Sequence, residues 1–458
     1  MQALSSWIDS VSSFVWGPFV LIPLLVLVGL ILTIGLKFLA FRKTMYAFGV
    51  MWRGRKAHPE HEGELTPFRA LMTSLAATVG TGNIVGVATA ILLGGPGAVF
   101  WMWVTALVGM STKFCEATLA VRFREVTPHG SFVGGPMYYI KNGLGENWKW
   151  LATLFAIFGA VASFGIGNMA QANSITSNVA HVLVSQENTQ TASYIVAGIL
   201  FLLTSIIVVG GVKRIGAVAG TLVPIMAVIY VLSGLVILLI KIDQVPQAFW
   251  TIVESAFTGH AAAGGFVGST IIMAIRYGVA RGLFSNEAGL GSSPMAHATA
   301  IVKHPVKQGL LGMIDPFIDT IIVCSISGLV IMVSGQWTNE GMSAGVLTQT
   351  AFDSILPGSR WIVVISLVLF AYSTILGWCV YGERCIIYLL GERAALPFRI
   401  FFTCVVPVGS LMKLSLVWNL SDLFNGLMAI PNLIALVLLL PVVIKLTKEY
   451  FDAPQKYE

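Results

Sequence analysis

Charged residues are scarce in this chain. Asp, Glu, Lys and Arg make up only 10% of its 458 residues, whereas hydrophobic residues make up 56% and the mean hydropathy is +0.84. A soluble globular domain carries roughly 25% charged residues, so the composition excludes that class. It predicts a polytopic membrane protein. The net charge of +6 does not indicate a nucleic-acid partner, because the basic residues stand between apolar segments.

The sequence also lacks the motifs of common enzymes and ATPases. It contains no GxxxxGK[ST], HExxH or GxSxG motif, and no dinucleotide-binding fingerprint after a strand. Its cysteines are scattered without CxxC spacing, which favours small apolar residues over disulfides or metal ligands. We interpret the run H-P-E-H-E-G-E at 58–64 as a solvated loop rather than a metal site. We therefore expect neither an enzyme nor an ATP-driven pump, and no organic cofactor.

Hydropathy predicts eleven membrane-spanning helices. The first, at residues 14–38, is too long for a signal peptide and is retained. The other ten lie at residues 67–92, 98–121, 151–184, 193–210, 216–240, 264–282, 308–334, 360–383, 397–413 and 421–445. This threading puts the basic loop after the first helix inside, and only Lys241, Arg360 and Lys413 fall outside. We expect a plasma-membrane protein with its N-terminus outside and its C-terminus in the cytoplasm.

The ten helices after the first divide into two sets of five. An odd number of spans per set forces opposite orientations, which is the topology of an inverted repeat. The predicted fold is all-α, with an N-terminal extra helix plus a five-plus-five inverted repeat. We divide the chain into the first helix with its basic loop (1–66), the first repeat (67–262), the second repeat (263–445) and a cytoplasmic tail (446–458).

Two segments on the outer side are amphipathic and too short to span the membrane. They lie at 245–257 and 341–355, and each precedes a helix that carries candidate site residues. They form lids over an external vestibule or lie on the membrane surface, and the sequence favours neither.

The run A-A-T-V-G-T-G-N-I-V-G at 76–86 interrupts the second predicted span. Each glycine inside a helix costs about 1 kcal/mol, so three glycines among threonines do not suit a plain anchor. Unwound backbone in a membrane is tolerated only in buried or wet surroundings, where its carbonyls bind cations and its amides bind carboxylates. A broken helix with a binding site is one interpretation, and a close-packing glycine helix is the other. Glycines at 264–282 suggest a matching break in the second repeat.

Two further spans carry polar side chains suited to binding. Ser373 and Thr374 either provide hydroxyl ligands for a monovalent cation or bond back to their own helix. Asn168 and Gln171 share a helical face and either bind a zwitterion or join helices to each other.

Ionisable residues inside the spans are functional candidates. Lys113 and Glu116 stand three residues apart, and we expect them to neutralise each other. Arg276 with Asp315 or Asp319 is a candidate for a gate or for a structural pair between neighbouring helices, and the sequence does not decide between the two.

Three motifs together resemble the alanine or glycine:cation symporters over nearly the whole chain. They are A-T-V-G-T-G-N-I-V-G at 77–86, G-G-P-G-A-V-F-W-M-W at 94–103 and I-R-Y-G-V-A-R-G-L-F-S-N-E-A-G at 275–289. The resemblance implies the leucine-transporter fold with two broken helices, a sodium ion as the coupling ion and a small neutral amino acid as the substrate.

The resemblance also implies roles for individual residues. The substrate would be bound by Thr78, Thr81, Gly82, Asn168, Gln171, Phe266, Thr270, Met273 and Trp378. Sodium would be bound by the carbonyls of Ala76, Val79 and Phe370 and the hydroxyls of Ser373 and Thr374. Asn83 matches a position in a further sodium site of relatives, but no carboxylate stands beside it, so we expect one ion. Trp378 and Met273 would leave room only for a methyl group or a hydrogen.

We therefore expect a monomeric, sodium-coupled symporter that imports alanine and glycine by alternating access. A carboxylate held by backbone amides does not read the chirality of so small a side chain, so D-alanine is a further expected substrate. The alternative is a proton-coupled transporter of the same fold that uses Asp315, Asp319 or Glu287. Glu287 stands in the connection 284–309, which we expect to be a cytoplasmic loop near the inner gate.

Overall fold

The computed structural model describes residues 10–12, 14–17, 20–56, 62–183, 189–258, 271–339, 341–412 and 415–453. The first half contains α1 (Leu21–Gly35), α2 (Leu39–Arg53), α3 (Pro67–Thr78), α4 (Gly82–Gly94), α5 (Gly97–Arg122), α6 (Pro136–Tyr139), α7 (Lys149–Phe164), α8 (Ala170–Leu183), α9 (Thr189–Val208), α10 (Gly211–Ile240) and α11 (Val245–Thr258). The second contains α12 (Ile271–Asn286), α13 (Pro294–His297), α14 (Pro305–Ser334), α15 (Ala344–Ile355), α16 (Arg360–Leu390), α17 (Ala395–Leu411), α18 (Ser415–Leu438) and α19 (Leu440–Asp452). Strands β1 (Glu125–Val126) and β2 (Phe132–Val133) form a short antiparallel ribbon.

The predicted all-α membrane architecture is confirmed. Among the described residues, eight helices are long and apolar enough to span a membrane. Two bent pairs add one candidate span each: α1 with α2, at 77°, and α3 with α4, at 53°. The predicted span at 264–282 corresponds to α12, of which 16 residues are described. Each of the eleven predicted spans therefore contains a helix.

The basic connection after the first span is largely helical rather than a loop. Lys37 and Phe38 have φ values of 52° and 57° and turn the chain sharply between α1 and α2. Leu39, Ala47 and Val50 of α2 are buried, while its basic side chains remain partly or fully exposed. An amphipathic helix, with its apolar side against the bundle, therefore replaces the predicted loop.

The run at 58–64 is only partly described, and His58 and His61 lie outside the described residues. The side chain of Glu64, at its end, is only 7% exposed and pairs with Arg384 at 3.2 Å. Our interpretation of the whole run as solvated is therefore wrong at Glu64. The described residues contain no cluster of His, Cys, Asp and Glu suited to a metal ion. All five cysteines are free thiols, as expected.

Helix α5 is the surface on which two other helices pack through glycines. A Cβ on Gly278 of α12 would lie 2.3 Å from the carbonyl oxygen of Ala98. A Cβ on Gly309 of α14 would lie 2.1 Å from Thr118 Oγ1. Glycine at these positions lets the helix axes approach more closely than any larger residue would allow.

The second repeat does not break at Gly278 or Gly282, two of the glycines that suggested a break. Helix α12 is regular from Ile271 to Asn286, and Gly278 and Gly282 pack against α5. Gly264, Gly265 and Gly268 lie outside the described residues. Among the described residues of this region, from 271 to 300, the chain unwinds after Asn286, where Glu287, Gly289 and Gly291 all have positive φ.

The unwound segment that follows α12 is buried, so the predicted cytoplasmic loop is wrong for residues 287–300. Glu116 accepts hydrogen bonds from the amides of Gly289 and Gly291, both at 3.2 Å. Its carboxylate therefore caps the turn that follows α12. The predicted pairing of Glu116 with Lys113 is also wrong, because Lys113 lies 3.3 Å from Asp315 instead.

The two outer amphipathic segments are helices α11 and α15, and both contact the bundle. The carbonyl of Ala256 accepts a hydrogen bond from the indole of Trp101 at 3.4 Å. Thr348 of α15 donates to the carbonyl of Ile84 at 3.1 Å, next to the break between α3 and α4. The segment α15 therefore covers the first broken helix directly.

We predict that Gly278→Ala destabilises the protein, because the added methyl group collides with the backbone of α5. Overpacking of this kind costs about 1–3 kcal/mol. Gly49→Ala is the matched control, because nothing lies within 4 Å of a Cβ there and alanine favours a helix. Thermal unfolding of the purified variants in detergent measures both. Equal melting temperatures for the two variants would contradict the packing role.

Candidate functional site

The turn between α3 and α4 has lost its helical hydrogen bonds at two places. Gly80 N–H donates to the side-chain oxygen of Asn83 at 2.8 Å, and Asn83 N–H donates to the carbonyl of Gly80 at 3.3 Å. In a continuous helix these two amides would bond to the carbonyls of Ala76 and Val79. Val79 is extended, with φ −75° and ψ 94°. The predicted broken helix is confirmed, and the carbonyls of Ala76 and Val79 have lost their helical donors.

Helix α16 passes very close to this turn. A Cβ on Gly80 would lie 2.6 Å from Thr374 Oγ1, and a Cβ on Gly377 would lie 2.7 Å from the amide nitrogen of Ala77. Two glycines facing each other across the contact make this approach possible. The structure therefore brings Thr374 to the unwound turn, as the sequence predicts.

Ser373 and Thr374 both bond back to their own helix, through the carbonyl of Phe370 at 2.9 Å. This was the competing interpretation of the two hydroxyls, and it holds for both. It does not exclude cation binding, because a donating hydroxyl keeps its lone pairs. Ser373 Oγ also lies 3.6 Å from the sulfur of Met226 on α10, and it does not line the cavity described next.

A small cavity lies beside the unwound turn. It is lined by Ala77, Thr78, Gly80, Thr81, Gly82, Ile166, Gln171, Phe284, Glu287, Thr374, Trp378 and Asn425. Its volume of about 20 Å³ is close to the minimum for one water molecule. Five of the nine predicted substrate residues line it: Thr78, Thr81, Gly82, Gln171 and Trp378. Any ligand larger than water must move side chains as it enters.

Four predicted substrate residues are not brought to the cavity by the described structure. Asn168, in the turn between α7 and α8, donates to the carbonyl of Phe402 at 2.6 Å and so joins this turn to α17. Met273 lies beside Gly94 at the far end of α4. Phe266 and Thr270 lie outside the described residues. The end of α12 and the residue after it supply Phe284 and Glu287 instead.

Hydrogen bonds fix the polar side chains of the cavity. Thr81 donates to Gln171 Oε1 at 3.3 Å, and Gln171 Nε2 donates to the carbonyl of Ile166 at 3.1 Å. The indole of Trp378 donates to Glu287 Oε1 at 3.0 Å. A Cβ on Gly167 would lie 2.3 Å from Cβ of Trp378, so this glycine makes room for the indole.

Two buried carboxylates of α14 hold the two sides of the break. Asp315 accepts from Thr78 Oγ1 at 3.0 Å and, with its other oxygen, from Ser74 and Lys113. Asp319 accepts from Asn83 Nδ2 at 2.6 Å. Our expectation that no carboxylate lies beside Asn83 is therefore wrong, and the argument for a single ion loses its basis.

Arg276 pairs with neither aspartate within the described structure. Its guanidinium lies 5.6 Å from the ring centre of Tyr277 on the same helix. Asp319 instead accepts further hydrogen bonds from Ser285 at 2.8 Å and Thr320 at 2.7 Å. Neutral donors therefore take the place of the cation that we expected.

Several residues of the cavity were missed by sequence reasoning or placed elsewhere. Asn425 is one of two asparagines in a largely apolar span, which is a signal that hydropathy alone overlooks. Glu287 was noticed as ionisable but assigned to a loop. Two π-helical turns contribute residues to the cavity lining, at Gly82–Gly86 and Gly165–Met169, and such turns are frequent at functional sites.

Comparisons with known proteins identify the family. All 458 residues match the model of the sodium:alanine symporter family. The chain is 47% identical to the sodium/alanine symporter AgcS of Methanococcus maripaludis, covering 97% of each chain. It is also 47% identical to an uncharacterized transporter of Haemophilus influenzae, covering 98% of this chain and 97% of the relative.

Among solved structures, MhsT in complex with L-phenylalanine matches with a TM-score of 0.57 at 15% identity, covering 84% of this chain and 98% of the other. This likeness confirms the leucine-transporter fold. The predicted resemblance is also confirmed, and the predicted absence of an enzyme activity agrees with a family of transporters. The chain is an amino-acid symporter that belongs to the sodium:alanine symporter family.

Proposed function

We propose that this protein is a sodium-coupled symporter that imports alanine and glycine by alternating access. The observation that carries the proposal is the unwound turn between α3 and α4, where the amides that would bond to the carbonyls of Ala76 and Val79 point elsewhere. Thr374 lies against the same turn. Oxygen ligands without a carboxylate suit a monovalent cation better than a divalent one. The name of the relative AgcS, a sodium/alanine symporter, points to the same ion and substrate.

The proposed sodium ligands are the carbonyls of Ala76, Val79 and Phe370 and the hydroxyls of Ser373 and Thr374. An ion held there orders the backbone that also receives the substrate, so each ligand should raise the affinity of the other. An inside-negative potential then contributes about 2.3 kcal/mol per 100 mV for each positive charge that enters.

The proposed substrate site is the cavity beside the turn. The amides of Thr81 and Gly82 at the start of α4 would hold the carboxylate, because the first amides of a helix are unpaired and carry partial positive charge. Gln171 and Trp378 line the same space, and its small volume favours small side chains. Met273, Phe266, Thr270 and Asn168 stay predictions from the resemblance.

We further propose that the protein works as a monomer in the plasma membrane, with its N-terminus outside. This orientation rests on the distribution of Lys and Arg between the spans. The division into two inverted repeats at 67–262 and 263–445 rests on the same threading.

We predict that Thr374→Ala abolishes sodium-driven uptake of alanine, because it removes a cation ligand at the unwound turn. Uptake of labelled alanine into proteoliposomes, driven first by a sodium gradient and then by an equal proton gradient, measures this. Ser366→Ala is the matched control, since this buried hydroxyl of α16 lies outside the cavity. Its uptake should match that of the wild type.

Uptake that protons drive equally well, and that Thr374→Ala leaves unchanged, would contradict the sodium site. It would support the alternative of proton coupling through one of the buried carboxylates. Sodium-dependent uptake that survives in Thr374→Ala would retain the coupling ion but remove our assignment of this hydroxyl.

We predict that D-alanine competes with labelled L-alanine for uptake. Backbone amides bind the carboxylate, and a methyl group is too small for the pocket to distinguish its position. The ratio of the two inhibition constants, measured in the same proteoliposomes, should lie within about tenfold. Failure of D-alanine to compete at large excess would disprove this part of the proposal.

We predict that Trp378→Ala widens the substrate range, because the indole fills the space beside the cavity. Leucine and glutamine should then inhibit alanine uptake, whereas they should inhibit the wild type at least about tenfold less. Trp361→Ala, at the start of the same helix, is the control because Trp361 is partly exposed and lies outside the cavity. An unchanged inhibitor profile in Trp378→Ala would show that another residue limits the substrate size.

A further inference from the structure

Glu287 occupies an unusual position between α12 and α13. It is one of three non-glycine residues with positive φ in the described structure, at φ 54°. Its side chain is only 4% exposed, and it lines the cavity beside the first broken helix. A non-glycine residue in this backbone conformation is strained, and such strain is concentrated at functional sites.

The carboxylate of Glu287 has only neutral partners. The indole of Trp378 donates to one oxygen at 3.0 Å, and the hydroxyl of Ser292 donates to the other at 2.5 Å. No cation of the described residues lies within 4.0 Å of it. Lys113, a buried lysine of α5, forms its ion pair with Asp315 instead. Glu287 therefore brings a carboxyl group to the cavity without an ion-pair partner among the described residues.

The other buried acids either have a cationic partner or lie outside the cavity lining. Asp315 has Lys113, and Glu383 has Arg384 and Arg399. Glu116 and Asp319 also have only neutral donors, but neither lines the cavity. Among the described acidic residues, only Glu287 presents an uncompensated carboxylate to the space beside the unwound turn.

A second acceptor lines the same cavity from α18. Asn425 is 1% exposed, and its side-chain oxygen has no hydrogen-bond partner. A buried carbonyl oxygen without a partner is unfavourable, so it calls for a donor. Glu287 and Asn425 together offer the charge and the acceptors that an ammonium group needs.

We propose that Glu287, with Asn425, binds the α-ammonium group of the transported amino acid. This rests on the proposed function, in which the amides at the start of α4 hold the carboxylate of the same molecule. The zwitterion then has a partner of opposite charge at each end, and its methyl group faces Trp378. The site selects amino acids over monocarboxylates of the same size, because lactate and propionate lack the charge that Glu287 requires.

The test compares alanine with L-lactate in the purified full chain. Displacement of labelled alanine by each compound, in sodium-containing detergent solution, measures both affinities for the wild type, Glu287→Gln and Asn425→Ala. The wild type should prefer alanine over lactate by at least about 100-fold. Glu287→Gln should bind alanine at least about tenfold more weakly and lose most of that preference. Asn425→Ala should weaken alanine binding about three- to tenfold.

Asp422→Asn is the matched control. It removes a carboxylate one helical turn before Asn425, on the same helix but outside the cavity, and should behave like the wild type. The increase in melting temperature caused by sodium without alanine separates binding of the ion from binding of the substrate. Glu287→Gln should keep this increase, which also shows that the variant is folded.

Wild-type affinity and wild-type preference in Glu287→Gln would overturn the inference. So would loss of the sodium-induced stabilisation in that variant, because Glu287 would then serve the cation. If Glu287→Gln does not fold, an unaffected Asn425→Ala overturns the inference and a weakened one supports it. Failure of the wild type to bind alanine at all would instead overturn the proposed function on which the inference rests.

Discussion

The structure depends on one constraint: peptide groups that leave a helix inside a membrane need other partners, because hydrocarbon offers none. At the break after α3, side chains supply them. Asn83 takes the amide of Gly80, Ser327 donates to the carbonyl of Asn83 at 2.6 Å, and Thr348 donates to that of Ile84 at 3.1 Å. The carbonyls left over are the ones that a cation would need. The proposed sodium site thus uses the carbonyls of Ala76 and Val79, which the break leaves without helical donors.

The same solution recurs at the second break, with different chemistry. After α12 the amides of Gly289 and Gly291 bond to Glu116, and Asn432 donates to the carbonyl of Gly289 at 2.9 Å. The first break leaves the carbonyls of Ala76 and Val79 without helical donors, and the second brings Glu287 to the cavity lining. In the proposed site, the amides at the start of α4 carry partial positive charge and Glu287 offers a carboxylate, so each end of a small zwitterion would meet a suitable partner.

Sequence reasoning predicted the features that depend on local sequence patterns. It failed for features that depend on contacts between residues far apart in the sequence. The spans and the first break follow from hydropathy and from glycines next to threonines, and five cavity residues followed from motif resemblance. The unwinding after α12 was not predicted, because packing glycines such as Gly278 look like helix breakers in a sequence. Lys113 and Glu116 are neighbours on one helix, but buried charges take the partner that the tertiary structure provides, and for Lys113 that is Asp315.

The attachment of α14 to the broken helix has a mechanical consequence. Asp315 bonds to Thr78 before the break, and Asp319, one turn further along α14, bonds to Asn83 after it. Helix α14 is thus hydrogen-bonded to the broken helix on both sides of the break. The two half-helices cannot hinge freely about the unwound turn unless one of these bonds opens. While both bonds persist, the alternating-access motion that we propose would move α3, α4 and α14 together.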